Sequence, residues 1–161
     1  MGIKLLEKRY QDYIKRYPEN VKELKKLALQ AKQIQLRMRE LLDVITAEVC
    51  PECNSSCCMC MPVEGWFTDG DYYLYRMLFD APFELRVNHA WERGCAFLSE
   101  RGCVLDPQLR PFPCVKVNCK AVTSALEKSN ALDAFNRFYE EISALQEEIW
   151  PYLKNLDVTF E

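Results

Sequence analysis

The sequence has little histidine, little glycine and no long apolar run. It contains one histidine and five glycines among 161 residues. With so few glycines there is no loop of the kind that cradles phosphate groups, and neither a nucleophile elbow nor a pair of catalytic carboxylates is recognisable. The longest uncharged run, residues 53–63, has eleven residues, whereas a membrane-spanning helix needs roughly 18. The sequence therefore predicts no membrane segment and offers no motif for nucleophilic catalysis.

Cysteine is absent from both ends of the chain and concentrated in its centre. Of the nine cysteines, five lie within residues 50–60 and four within residues 95–119. The N-terminal residues carry charges where a signal peptide needs an apolar core, so we expect a cytoplasmic protein. In that reducing compartment, clustered cysteines are more often metal ligands or redox groups than structural disulfides.

Both cysteine-free ends show helical periodicity. Apolar residues recur at spacings of three and four from Ile3 to Tyr17, from Val21 to Ile45 and from Leu132 to Leu153. Pro18 suits the first turn of the second helix, and Asn130 suits the N-cap of the third. Each of these three predicted helices has one apolar face and one polar face.

The central residues show no sustained period. A helix is predicted at about residues 71–80, and two very short strands joined by a turn that ends at Gly102 are predicted within residues 95–105. The predicted fold is mostly α, with long amphipathic N- and C-terminal helices around an irregular cysteine-rich metal-binding centre and at most a short β-hairpin. It forms one domain over residues 1–161, in three parts: a helical part (1–49), the metal-binding segment (50–119) and a C-terminal helix (120–161).

Charge is distributed unevenly along the chain. Residues 1–40 contain 11 Lys and Arg against 5 Asp and Glu, whereas residues 121–161 contain 3 against 8. Nucleic-acid grooves interleave aromatic residues with a basic stripe, and this sequence has no such stripe. We therefore expect no nucleic-acid partner, and we expect the basic and acidic helices to pack beside each other.

The first cysteine cluster has spacings typical of metal ligands. A C-x-x-C pair places two thiolates on one turn, where both can reach a single ion, and here it opens the run Cys50-Pro-Glu-Cys53-Asn-Ser-Ser-Cys57-Cys58-Met-Cys60. Cys53, Cys57 and Cys60 also match the radical-SAM pattern, but no strand–helix alternation supports that barrel. A thioredoxin-like site would need Cys50 and Cys53 at the start of a helix, and they follow one instead. His89 is a weaker candidate ligand.

The combined cysteine spacing resembles that of the YkgJ-type cysteine-cluster family of CxxCxxxCC zinc- or iron-chelating domains. The first motif is Cys50-x-x-Cys53-x-x-x-Cys57-Cys58, and the downstream motifs are Cys95-Ala-Phe-Leu, Cys103-Val-Leu and Arg110-Pro-Phe-Pro-Cys114. The chain departs from the family in Cys60, which lies outside the core signature, in Asn54-Ser55-Ser56, where the family often has a glycine, and in the residues after Cys114. The resemblance implies a centre held by Cys50, Cys53, Cys57, Cys58, Cys95, Cys103, Cys114 and Cys119, with Cys60 as the alternative eighth ligand.

A centre of this kind carries net negative charge, and burying that charge requires compensation. Arg110 lies four residues before Cys114, so we expect its guanidinium to donate hydrogen bonds to sulfur, with Lys116, Arg93 and Arg101 as weaker candidates. All-thiolate ligation selects zinc or an iron–sulfur cluster. Side chains of adjacent residues diverge, so Cys57 and Cys58 should serve different metal atoms. We therefore expect more than one metal atom and favour the iron–sulfur cluster over zinc.

Three function classes remain open at this point. The first is a metal-binding protein for electron transfer, sensing or structural support, whose partner is the metal itself. The second is a module in which zinc stiffens a scaffold and the long helices bind a protein partner. The third is an accessory domain of a modifying enzyme. The sequence leaves the oligomeric state open.

Overall fold

The computed structural model describes residues 3–53, 69–79, 95, 98–99, 102–103, 110–116 and 118–153, and this part of the chain is mostly helical. Its helices are α1 (Ile3–Arg16), α2 (Pro18–Val49), α3 (Asp69–Leu78), α4 (Phe112–Lys116), α5 (Lys120–Lys128) and α6 (Leu132–Leu153). Two short strands, β1 (Leu98–Ser99) and β2 (Gly102–Cys103), pair antiparallel, with Leu98 opposite Cys103. The mostly helical fold is confirmed, and the two paired strands lie within the residues where a hairpin is predicted, while residues 100–101 between them lie outside the described residues.

The first two helices follow the predicted pattern closely. Tyr17 separates them, and Pro18 occupies the first turn of α2, where its missing N–H removes no helical hydrogen bond. Leu6, Tyr10 and Tyr13 on the α1 stripe are buried. The buried residues of α2 extend from Leu24 to Ile45, because this helix of 32 residues packs against all the other described helices.

The core is one cluster arranged around α2. Its most deeply buried side chains include Leu24 and Met38 of α2, Tyr72 of α3 and Ile142 of α6, all with 0% exposure. Burying a large apolar side chain stabilises a fold by about 1.5–3 kcal/mol, so contacts among helices alone supply a substantial core. Cys119 is the one described cysteine that packs against this cluster.

The C-terminal part contains two helices, where the sequence predicts one. Asn130 was expected at the N-cap of α6, but that prediction is wrong, because Asn130 ends α5 in a left-handed conformation with φ 57°. The Ala131 N–H donates to the Leu126 carbonyl and the Asn130 N–H to the Glu127 carbonyl, at 2.9 and 3.0 Å. These two bonds form a Schellman motif, for which asparagine is a common substitute for glycine. The motif reverses the chain and fixes the junction between α5 and α6.

The prediction that basic and acidic helices pack beside each other is confirmed for α2 and α6, which are in contact. The Arg37 guanidinium of α2 lies over the Phe138 ring of α6, 6.0 Å from its centroid, and Arg37 lines a groove with Glu141 and Glu148. Among the helices described, none is long and apolar enough to cross a membrane.

Candidate functional site

The C-x-x-C pair lies on a single turn directly after α2. The Cys50 N–H donates to the Thr46 carbonyl (N···O 3.0 Å), which completes the last turn of the helix, and the Cys53 N–H donates to the Cys50 carbonyl (3.1 Å). A turn closed by such a bond holds the two Cα atoms within about 7 Å. Cys50 is exposed and Cys53 half-buried. Two thiols on one such turn can both reach a single metal ion.

The second group of cysteines is distributed over short elements. Cys114 is exposed in the five-residue helix α4, and its N–H donates to the Pro111 carbonyl at 2.9 Å. Cys119 is the half-buried N-cap of α5. Cys95 is half-buried, and the backbone of Cys103 pairs with β1. Cys103, Cys114 and Cys119 therefore lie in or next to short elements.

The described residues do not by themselves form a complete metal site. Within the ranges that the structure describes, no group of three or more His, Cys, Asp or Glu side chains is placed to hold a metal ion. Cys57, Cys58, Cys60 and the alternative ligand His89 lie outside those ranges. A site with four thiolates around the Cys50–Cys53 turn would have to draw on them.

Arg110 lies against the middle of α2. Its carbonyl accepts a hydrogen bond from Gln35 Nε2 at 3.3 Å, and its side chain lines a cavity of about 30 Å³ between α2 and α3. None of the described residues that line this cavity is a cysteine. Gln35 precedes Cys50 by fifteen residues, which is about 22 Å along the helix axis. The main chain of Arg110 is thus well separated from the Cys50–Cys53 turn.

The Arg110 side chain nevertheless keeps a donor available. Its Nε is buried without a hydrogen-bond partner, and an unsatisfied buried donor of this kind costs about 1–3 kcal/mol. A cavity of about 30 Å³ is large enough for a water molecule but too small for a cluster. The described thiols fit a zinc or iron–sulfur centre, whereas the cavity that Arg110 lines contains no described cysteine for its guanidinium to contact.

Comparison of the chain with family models, with curated proteins and with solved structures finds no match. The likeness to the YkgJ-type family therefore rests on the spacing of the cysteines and of Arg110.

Sequence reasoning missed a buried polar network that joins α1 to α3. The Arg76 guanidinium is 8% exposed and donates to both Glu7 carboxylate oxygens, at 2.8 Å from Nε and 3.2 Å from the terminal nitrogen. The Tyr72 hydroxyl and the Gln11 amide also donate to Glu7. These bonds, led by that of Arg76, lower the pKa of Glu7 to about 2. Burial and the bond to Glu7 raise the pKa of Tyr72.

A sequence signal for this network exists. Glu7 directly follows Leu6 on the edge of the α1 stripe, and Arg76 precedes the buried Met77 in an aromatic-rich helix. A charge on an apolar face indicates a buried partner, because an unpaired buried charge is costly. The sequence cannot name that partner, since Glu7 and Arg76 are 69 residues apart.

Lys116, a weaker candidate for charge compensation, contacts α6. Its ammonium donates to Gln146 Oε1 at 2.7 Å and lies 4.7 Å from the centroid of the Tyr139 ring. Partial burial lowers the pKa of Lys116. Its described contacts are thus to a neutral amide and an aromatic ring.

Proposed function

We propose that this chain is a metal-binding protein of the YkgJ type, which holds an iron–sulfur cluster or zinc through its clustered cysteines. The observation that carries the proposal is the hydrogen-bonded turn from Cys50 to Cys53, which follows α2 without a break. A 32-residue helix embedded in the core is a rigid support, and metal ligands on rigid elements are held more precisely than ligands on loops.

The ligand set in this proposal extends beyond that turn. It comprises Cys50, Cys53, Cys57, Cys58, Cys95, Cys103, Cys114 and Cys119, with Cys60 as the alternative to Cys119. A bound iron–sulfur cluster would supply one-electron exchange, and bound zinc would supply a structural crosslink. Electron transfer, sensing or structural support in the cytoplasm are the roles consistent with such a saturated thiolate centre.

The metal content tests the proposal directly. We expect more than one metal atom per chain after anaerobic purification, because adjacent Cys57 and Cys58 side chains diverge and serve different atoms. Native mass spectrometry counts the atoms, and a visible spectrum with iron and sulfide assays distinguishes the cluster from zinc. A brown protein with iron and sulfide excludes zinc as the bound group. A colourless one with stoichiometric zinc excludes the cluster. Purified protein that binds neither overturns the proposal.

Single substitutions then identify the ligands. Cys53→Ser and Cys58→Ser should each lose metal, and comparison of Cys60→Ser with Cys119→Ser decides the eighth ligand. Thr46→Ala is the matched control, because it alters the same end of α2 and leaves every thiol in place. One zinc per chain, bound as tightly by Cys58→Ser as by the parent, would contradict the expected nuclearity.

A second candidate is a module whose long helices bind a protein partner around a zinc-stiffened centre. The observation that favours it is the exposure of Leu29 (50%) and Leu36 (36%), seven residues apart on one side of α2. If this face binds protein, Leu29→Lys/Leu36→Lys should abolish self-association measured by sedimentation and leave metal content unchanged. A monomeric parent chain would remove self-association from this candidate.

A further inference from the structure

A pocket of about 220 Å³ lies between α4, α5 and α6, separate from the cavity beside Arg110. Polar side chains of Lys116, Asn118, Thr123 and Asn136 line part of it. Its apolar lining comes from Leu126, Leu132 and Phe135, with the Tyr139 ring beside them. Drug-sized ligands occupy pockets of about 300–1,000 Å³, so this pocket suits a smaller molecule.

Lys116 brings positive charge to this pocket without a counter-ion. Its ammonium is partly buried and contacts the neutral Gln146 amide and the Tyr139 ring. It forms no ion pair with any described carboxylate, and no acidic side chain is among the described residues that line the pocket. An ammonium has three donors and no acceptor. A ligand that carries an anionic oxygen would therefore find both charge and donors here.

Asn118 is an independent indication at the same pocket. Its Nδ2 is buried and has no hydrogen-bond partner, although buried polar groups in folded proteins are nearly always paired. An acceptor supplied by a bound ligand would satisfy this amide. The two residues that carry the unpaired donor and the uncompensated cation line one pocket, and both can donate to the same anionic group.

The remaining lining defines the body of the ligand. Leu126 is 1% exposed and Phe135 is 5% exposed, so the floor of the pocket belongs to the helical core. The Schellman motif at Asn130 holds α5 and α6 in a fixed relation, and this relation forms the pocket before a ligand binds. A rigid apolar floor beside two donors suits a molecule with one apolar end and one anionic end.

We propose that this pocket binds a small monocarboxylate with an apolar body. The carboxylate oxygens accept from the Lys116 ammonium and the Asn118 amide, and the apolar body lies against Leu126, Leu132 and Phe135. One cation and one amide donor match a single negative charge with two acceptor oxygens. Because Lys116 and Asn118 lie between the proposed ligands Cys114 and Cys119, the metal content of each sample is measured beside its carboxylate binding, so that a failure of one proposal is distinguished from a failure of the other.

The test compares phenylacetate and hexanoate with phenylacetamide, by NMR chemical-shift titration of the full chain at low ionic strength. We expect saturable binding of at least one carboxylate, with shifts in residues 116–139. Phenylacetamide should bind at least tenfold more weakly than phenylacetate, since it lacks the charge. Lys116→Met should weaken carboxylate binding by about ten- to hundredfold, the range for a hydrogen bond to a charged group. Asn118→Leu should weaken it less.

The controls separate the pocket from general charge effects. Lys120→Met removes an exposed lysine from the start of α5 and should leave carboxylate affinity unchanged. Circular dichroism checks that each variant is folded, and the comparison of amide with carboxylate on the parent chain needs no variant. Equal binding of phenylacetamide, binding of inorganic phosphate in place of the carboxylates, or no shifts with either carboxylate would each overturn the proposal.

Discussion

Arg76→Met is expected to lower the free energy of unfolding by about 3–5 kcal/mol, the usual cost of removing one partner from a buried ion pair. The substitution leaves the Glu7 carboxylate in a partly buried position with only Tyr72 and Gln11 as donors. It also removes a guanidinium that lies 4.9 Å from the centroid of the Tyr10 ring. The link between α1 and α3 therefore loses its charge compensation and part of its packing.

Chemical denaturation of the parent and the variant measures this difference. The double variant Glu7→Gln/Arg76→Met is compared with Arg76→Met, because it removes both charges and should recover much of the lost free energy of unfolding. Lys26→Met is the matched control, since its bridge to Glu23 joins two exposed side chains and such pairs contribute about 0–1 kcal/mol. A loss no larger for Arg76→Met than for Lys26→Met would show that the buried pair does not stabilise the fold.

The same pair predicts a dependence of stability on pH. The pKa of Glu7 falls from 4.5 to about 2 in the folded chain, chiefly through its hydrogen bond with Arg76. A carboxyl whose pKa is lower in the folded state stabilises fully above its unfolded value and loses that contribution as pH falls toward its folded value. The parent should therefore lose up to about 3 kcal/mol between pH 4.5 and pH 2 from this group. Glu7→Gln should lose less over this interval.

Features of the fold that depend on neighbouring residues can be predicted from the sequence, whereas features that depend on contacts distant in sequence cannot. The apolar faces of α1 and α2 are predictable because apolar residues recur with the helical period of 3.6 residues. The position of Pro18 is predictable because proline is favoured in the first turn of a helix. The predicted N-cap role of Asn130 is wrong because asparagine is favoured both at the N-cap of a helix and at φ > 0 after the end of a helix. Hydrogen bonds across the α5–α6 junction decide between these roles, and the local sequence does not contain them.

The candidate site likewise combines a local feature that the sequence predicts with a long-range arrangement that it does not. The Cys50–Cys53 turn follows from local spacing, because an i to i+3 hydrogen bond involves only neighbouring residues. Whether the cysteines of residues 95–119 lie close to that turn depends on contacts distant in sequence, and the spacing of the cysteines alone does not determine it. Arg110 and Lys116 illustrate the difficulty. Their positions near Cys114 in sequence suggest one shared role, whereas the structure directs Arg110 toward α2 and Lys116 toward α6.

If the chain holds the proposed metal, its removal is expected to divide the chain into a stable and an unstable part. Structural zinc in small domains binds with an apparent free energy of about 10–16 kcal/mol, and in them this binding energy is folding energy. The core around α2, by contrast, is built from apolar helix contacts to which Cys119 alone among the described cysteines contributes. Chelation should therefore retain most of the helical circular dichroism and produce new protease cleavage sites within residues 50–119.

Helix α3 lies within residues 50–119, and its contacts predict which part of this segment stays folded after chelation. Tyr72 and Tyr73 are buried in the helical core, and Arg76 ties α3 to Glu7 of α1. We therefore expect the amides of residues 72–77 to remain protected from hydrogen exchange after chelation, while cleavage occurs elsewhere in residues 50–119. In the Arg76→Met variant that link is broken, and chelation should then expose α3 as well. Complete loss of helicity in the chelated parent would show instead that the metal holds the whole fold, because the helix contacts would then be insufficient without it.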